Sequence, residues 1–180
     1  MTLPASAPKP LTLGFLAVLQ DASGWLGGYL VTNGWGHPLE FRLTTAVQPN
    51  RVQTALYGST LTEYLHADVI GKTLVEKTGT KPDLIVTDSP PALALRSRID
   101  IPVIAIGVPN ATLPPDAIAF AHPRSPGGLF LPARFADDRD AVAALLERVD
   151  SAVDLAEPFA RVREAVGEAR KMGVTNRAAA

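Results

Sequence analysis

The sequence predicts an α/β fold, a mixed sheet in which an antiparallel three-stranded meander is followed by a βαβ unit. Three observations predict it. Lys81 to Val108 reads as strand, turn, short helix, strand. Three strand-like segments joined by short turns precede residue 48. Between the two lies a stretch from Gln48 to Gly79 with apolar residues at helical spacing.

The elements follow in order. Met1 to Pro10 is rich in proline and alanine and reads as a flexible tail. Leu11–Gln20 is the first strand, with Phe15 and Val18 suited to a pleated surface. Asp21 to Gly24 is a turn, and Trp25–Thr32 the second strand, in which Gly27-Gly28 marks a bulge or a close backbone approach. Asn33-Gly34 is a hairpin dipeptide because both residues tolerate positive φ. Pro38–Val47 alternates Leu39, Phe41 and Leu43 with Glu40, Arg42 and Thr44, the pattern of a half-buried strand.

From Gln48 to Gly79 the spacing predicts two helices, or one broken at Gly58. Thr60 and Glu63 have capping-box spacing, and Ala67 and Gly71 would let the helix lie close to the sheet. Leu84 to Val86 is a short apolar run between breakers, hence a strand buried on both faces. Ser89 is placed to cap a helix over Ala92–Ile99, with proline tolerated in its first turn. Val103–Ile106 is the second parallel strand. Asn110–Pro132 is irregular, with Ala117–Phe120 and Leu129–Phe130 as short edge strands. One helix is predicted from Arg139 to about Glu157, ended by Pro158. The domain reading is therefore a tail at 1–10, a single α/β domain at 11–157, and a helical extension with a frayed end at 158–180.

Composition bounds the function. Across 180 residues the net charge is −1, which gives nucleic acid no electrostatic handle. With no cysteine, disulfides, thiol catalysis and thiolate metal sites are excluded. His37, His66 and His122 are scattered, so a histidine-only metal site is not expected. No apolar run reaches the length of about eighteen residues that a membrane helix needs, and the first ten residues hold no apolar signal core. The expected location is the cytoplasm. No phosphate-binding glycine loop occurs, and neither Ser23 nor Ser89 has a nucleophile-elbow context.

Ligands of parallel sheets lie at the carboxyl ends of the strands, where Asp88, Ser89 and Gly107 fall. Asp88 reads first as a turn residue, Glu63 as a capping partner, and Asp68 and the Arg96/Arg98 pair as a solvated face. His66 reads as a surface or packing residue and His37 as part of a turn. Trp25, Tyr29 and Trp35 are candidates for an exposed aromatic patch, against simple core or hairpin packing.

The order of elements, β-β-β-α-β-α-β-α, resembles the ribonuclease H-like superfamily, and the passage TLTEYLHADVIGKTLVEKTGTKPDLIVTDS looks like endonuclease V. The chain is also similar to small bacterial proteins with which no activity is associated. The resemblance to the nucleases implies a pair of divalent cations, Mg or Mn, held by several carboxylates. It implies one acid within the first strand, one on the helix (Glu63 or Asp68) and one at the end of the fourth strand (Asp88). The first strand, LTLGFLAVLQ, contains no acid, and Asp21 comes only after it.

Three functions follow as expectations. The first is a non-catalytic module that binds another protein, or a second copy of itself, through Trp25, Tyr29 and Trp35, with no cofactor and no membrane. The second is a metal-dependent nuclease using Asp88, Asp21, Glu63 and Asp68. The third is a small-anion or nucleotide binder at the strand ends, through Ser89 and nearby amides.

Overall fold

In the computed structural model, residues 7–173 are described. Seven strands form one sheet in the order β3-β2-β1-β4-β5-β7-β6. β1 (Thr12–Asp21) pairs antiparallel with β2 (Gly24–Asn33), and β2 with β3 (Pro38–Leu43). β1 pairs parallel with β4 (Leu84–Thr87), and β4 with β5 (Val103–Ile106). β6 (Ala117–Phe120) and β7 (Leu129–Pro132) then form an antiparallel hairpin on β5. The fold is α/β with a mixed sheet, an antiparallel three-stranded meander followed by two parallel strands as the sequence implies, extended by that hairpin.

Alternation along the strands gives the sheet two apolar faces. Phe15 and Ala17 of β1 and Leu84 and Val86 of β4 share one core with α4 (Asp138–Glu147) and α5 (Glu157–Lys171). Leu16 and Val18 of β1 and Ile85 of β4 share the other with Ala67, Ile70 and Leu74. Each large apolar side chain so buried contributes about 1.5–3 kcal/mol. Gly27 and Gly28 are what let the two helical layers approach. A Cβ on Gly27 would lie 2.2 Å from Ile70 Cγ2, and one on Gly28 2.5 Å from Val162 Cγ1. The bulge in β2 sits elsewhere, between Val31 and Thr32.

The helical stretch after β3 is more broken than its spacing suggests. α1 (Arg51–Tyr57) begins with a capping box between Asn50 and Gln53, not between Thr60 and Glu63, and Thr60 makes no side-chain cap. A 3₁₀ turn leads to α2 (Leu61–Glu63), an eight-residue π-helical segment (Tyr64–Gly71) and α3 (Lys72–Lys77). Within the π segment Lys72 N–H reaches back to Ala67 C=O. Such segments are rare and recur at functional sites. The segment from Pro90 to Ser97 is a 3₁₀ helix, and Ser89 does not cap it.

The C-terminal third differs from expectation for a local reason. Asp150 Oδ1 accepts from Ala152 N–H at 2.9 Å and Asp154 Oδ1 from Ala156 N–H at 2.8 Å. These Asx turns stop the helix that Arg139 would otherwise continue, because the side chain offers the backbone another partner. Pro158 then opens α5 rather than ending α4. Phe159, Val162 and Val166 of α5 are buried against β1 and β2, so residues 158–171 belong to the domain and are not an extension of it. Of the expected tail at 1–10 and frayed end at 173–180, residues 1–6 and 174–180 lie outside the described ones. Lys9, inside that tail, binds Asp83 at 3.1 Å, and its carbonyl accepts from Arg148 at 2.6 Å. Among the described residues no helix is long and apolar enough to cross a membrane.

Candidate functional site

The parallel strands β1 and β4 end side by side. Leu16 pairs with Thr87, so the next residues along each strand are Ala17 and Asp88. Thr87 Oγ1 donates to Leu16 C=O at 2.8 Å and accepts from Ser89 N–H at 3.0 Å. Ser89 Oγ accepts from Val18 N–H at 3.3 Å and lies 3.4 Å from Asp88 Oδ1. The strand ends are thus stitched together by the two hydroxyls, and the Ser89 amide is consumed in the stitch. Ser89 therefore offers an anion neither a free amide nor an exposed hydroxyl. The expected anion site at Ser89 is corrected on this ground.

Asp88 continues the alternation of Leu84 and Val86 and so belongs to the α5 face. Its side chain is 8 % exposed and is paired with the Arg163 guanidinium of α5. Asp21 is paired with Arg170, whose second nitrogen also reaches Ser23 Oγ at 2.8 Å. Arg163 and Arg170 stand at i and i+7 of one helix, roughly 10 Å apart along its axis at 1.5 Å per residue. One helix face therefore neutralises both carboxylates.

Glu63 and Asp68 lie on the other face of the sheet. Arg98 binds Asp68 through contacts of 3.0 and 3.1 Å, donates to Ala94 C=O at 3.0 Å, and has Glu63 at 3.7 Å. Arg96 is held by Asp138 at 2.7 Å and lies 4.2 Å over the Phe135 ring. The expected solvated arginine face is in fact tied into three ion pairs, Arg96–Asp138, Arg98–Asp68 and Arg98–Glu63. The four acids assigned to a metal pair are split by the sheet into Asp21 with Asp88 and Glu63 with Asp68. Among the described residues no three His, Asp or Glu side chains converge as a metal site would require. The residue beside Asp88 on the first strand is Ala17, fully buried, where a bridging carboxylate would have to stand.

The aromatic patch does not form. Tyr29 is 1 % exposed, and burial pushes its hydroxyl well above the usual phenol range. Trp25 is half-buried, bridges to Val47, and meets the His66 ring edge-on at a centroid distance of 5.1 Å. Only Trp35, 67 % exposed on the β2–β3 turn, faces solvent, and it stands at the opposite end of β2 from Trp25. His66 is buried with both ring nitrogens unpartnered, and burial lowers its pKa from 6.5 to about 4. His37 takes its expected place in the turn, donating its N–H to Asn33 Oδ1 at 3.0 Å.

Beyond β5, Gly107 abuts Gly127 so closely that a Cβ would fall 1.9 Å from the Gly127 carbonyl oxygen. The adjoining cavity of about 310 Å³ is lined by apolar residues such as Val108, Leu113 and Phe130 and carries no charged group. The residues that sequence reasoning missed are Arg163 and Arg170. The apolar repeat of Phe159, Val162 and Val166 is the signal that would have docked their helix on the sheet.

No protein-family model matches the chain, and no curated protein matches it. Among solved structures it is similar to a variant of Ciona intestinalis endonuclease V in complex with a 23mer DNA containing an inosine followed by a ribo-adenosine. That likeness has a TM-score of 0.45 at 10 % identity, over 91 % of this chain and 87 % of that one.

Proposed function

We propose that the chain is a non-catalytic α/β domain that works by binding another protein, with α1 as its contact element. The observation that carries this reading is that α1 is a regular, fully capped helix with no buried residue. Its Val52 is 65 % and its Leu56 80 % exposed, at i and i+4 of one face. Isolated helices of this length are marginal in water, and helices in proteins are held chiefly by packing of an apolar face. Here that face has no partner within the described residues. From Asn50 to Thr60 the only charged side chain is Arg51, a composition suited to contact rather than to solvation. Trp35 and Leu39, 67 % and 50 % exposed, supply a second apolar place at the β3 edge of the sheet.

A metal-dependent nuclease is the second reading. What supports it is the position of Asp88 at the end of β4 in a sheet of this order. What weighs against it is Ala17 beside Asp88, the arginine paired to each of Asp21, Asp68 and Asp88, and the division of the acids between two faces. The guanidinium of Arg163 already supplies the positive charge that a cation would bring.

The two readings separate in one pair of measurements. The doubly charged variant Val52→Asp/Leu56→Asp is expected to melt with the wild type and to lose association, read by sedimentation velocity and by co-purification against the wild-type control. A lowered melting temperature with association intact would mean that α1 packs on its own domain. Calorimetric titration with magnesium and manganese is expected to give no saturable heat; a millimolar site abolished by Asp88→Asn would establish the nuclease reading instead.

A further inference from the structure

On the face opposite α5, a cleft of about 430 Å³ opens between the 3₁₀ segment Pro90–Ser97 and the β6–β7 hairpin. Its size is within the range of small-molecule sites. Pro91, Pro114, Pro115 and Pro132 line it, so much of its wall has fixed φ and offers no N–H. A wall of this kind is preformed, and little ordering cost falls on a ligand that enters. The recognition must come from side chains, and four of those are charged: Glu63, Arg98, Asp116 and Arg134.

Their charges are not equally available. Arg98 spends Nε and Nη2 on Asp68 and Nη1 on Ala94 C=O. Glu63 forms a loose ion pair with Arg98 at 3.7 Å, with no hydrogen bond between them, so its oxygens can still accept from a ligand. Asp116 and Arg134 carry no side-chain hydrogen bond or ion pair among the described residues, and both are exposed. The cleft therefore presents one unpaired carboxylate (Asp116), one carboxylate held only by a loose ion pair without a hydrogen bond (Glu63), and one unpaired guanidinium (Arg134).

We infer that this cleft binds a small ligand with the inverse pattern, two cationic groups and one carboxylate on an apolar stem, that is, a basic α-amino acid. The ligand's side-chain cation meets Glu63, and its α-ammonium meets Asp116, whose carbonyl accepts from Ala133 N–H next to Arg134. Its carboxylate accepts from paired N–H donors of the planar Arg134 fork. Its methylene stem lies on the proline wall.

The test is calorimetric titration of the full chain with L-arginine, with agmatine, which lacks the carboxylate, and with L-leucine, which lacks the second cation. L-arginine is expected to bind saturably, and each of the other two about tenfold or more weakly, the scale of one charge-assisted hydrogen bond. Arg134→Gln is expected to bind agmatine and L-arginine alike, and Glu63→Gln to lose affinity for both but not for L-leucine. Melting temperatures of both variants are expected to match the wild type, since both side chains are exposed. No saturable heat with L-arginine at millimolar concentration, or equal binding of all three probes to wild type and variants, overturns the inference.

Discussion

Arg163 of α5 closes over Asp88 at the end of β4, and the carboxylate so covered retains 8 % of its side-chain surface. The neighbouring strand offers Ala17, not a second acid, at the matching step. The pair therefore fastens the C-terminal helix to the sheet rather than preparing a site for chemistry. Arg163→Met leaves a nearly buried carboxylate without its counter-charge. That loss is expected to cost about 1–2 kcal/mol in denaturant unfolding, at the low end for a broken buried pair because Arg163 is itself 45 % exposed. The double variant with Asp88→Asn is expected to recover most of it in a double-mutant cycle. Strictly additive losses would mean that the two side chains do not act on one another.

His66 makes stability depend on pH. Its folded pKa, about 4, lies below the ordinary 6.5 because burial penalises the imidazolium. Above pH 6.5 both folded and unfolded states hold it neutral, and nothing is lost. As pH falls from 6.5 toward 4 the unfolded chain takes up a proton that the native state refuses, so stability declines. The full loss is roughly 3 kcal/mol, reached as pH falls through the folded pKa. His66→Leu is expected to flatten this window in urea titrations at stepped pH. An unchanged slope between pH 4 and 6.5 in that variant would assign the decline to other groups.

Much of the fold was legible because strands buried on both faces announce themselves. Leu84–Val86 and Val103–Ile106 are uninterrupted apolar runs between breakers, and both became central parallel strands. Leu39 to Thr44 alternates, and it became the exposed edge. The candidate site was less legible, because its partners are far away in sequence. Nothing near Asp88 hints that Arg163 will neutralise it, 75 positions later. That link required α5 to be docked, and the two Asx turns at Asp150 and Asp154 hid where α5 begins. Tyr29 failed as a surface residue for a similar reason: β2 is covered on both faces, and alternation cannot show a second cover.

Gly27 sets the distance between the sheet and the π-helical segment. An alanine there would put its Cβ 2.2 Å from Ile70 Cγ2 and 2.9 Å from Leu74 Cδ1. Side chains in a filled core cannot retreat by that much without moving the helix, and overpacking of this kind costs about 1–3 kcal/mol. Gly27→Ala is expected to lower stability by that amount, and Gly27→Ala/Ile70→Ala, which removes the clashing Cγ2, to lose less than the sum of the two single variants, all measured by thermal unfolding. A neutral Gly27→Ala would show that the helical layer rides on the sheet without close contact.

α1 is the element whose order rests most on its own cap. Asn50 Oδ1 accepts from Gln53 N–H at 2.8 Å while Gln53 Oε1 accepts from Asn50 N–H at 3.0 Å. Asn50→Ala removes one partner of that reciprocal pair, a change worth about 1 kcal/mol of helix stability. No residue of α1 is buried, and the Tyr57–Tyr64 ring stack at 4.1 Å carries little of the loss toward the core. Hydrogen exchange of the amides of residues 54–57 is expected to quicken several-fold in the variant, while the melting temperature of the domain stays where it was. A fall in melting temperature alongside the faster exchange would mean that α1 is coupled to the sheet after all. It would then cease to be an element held ready for a partner.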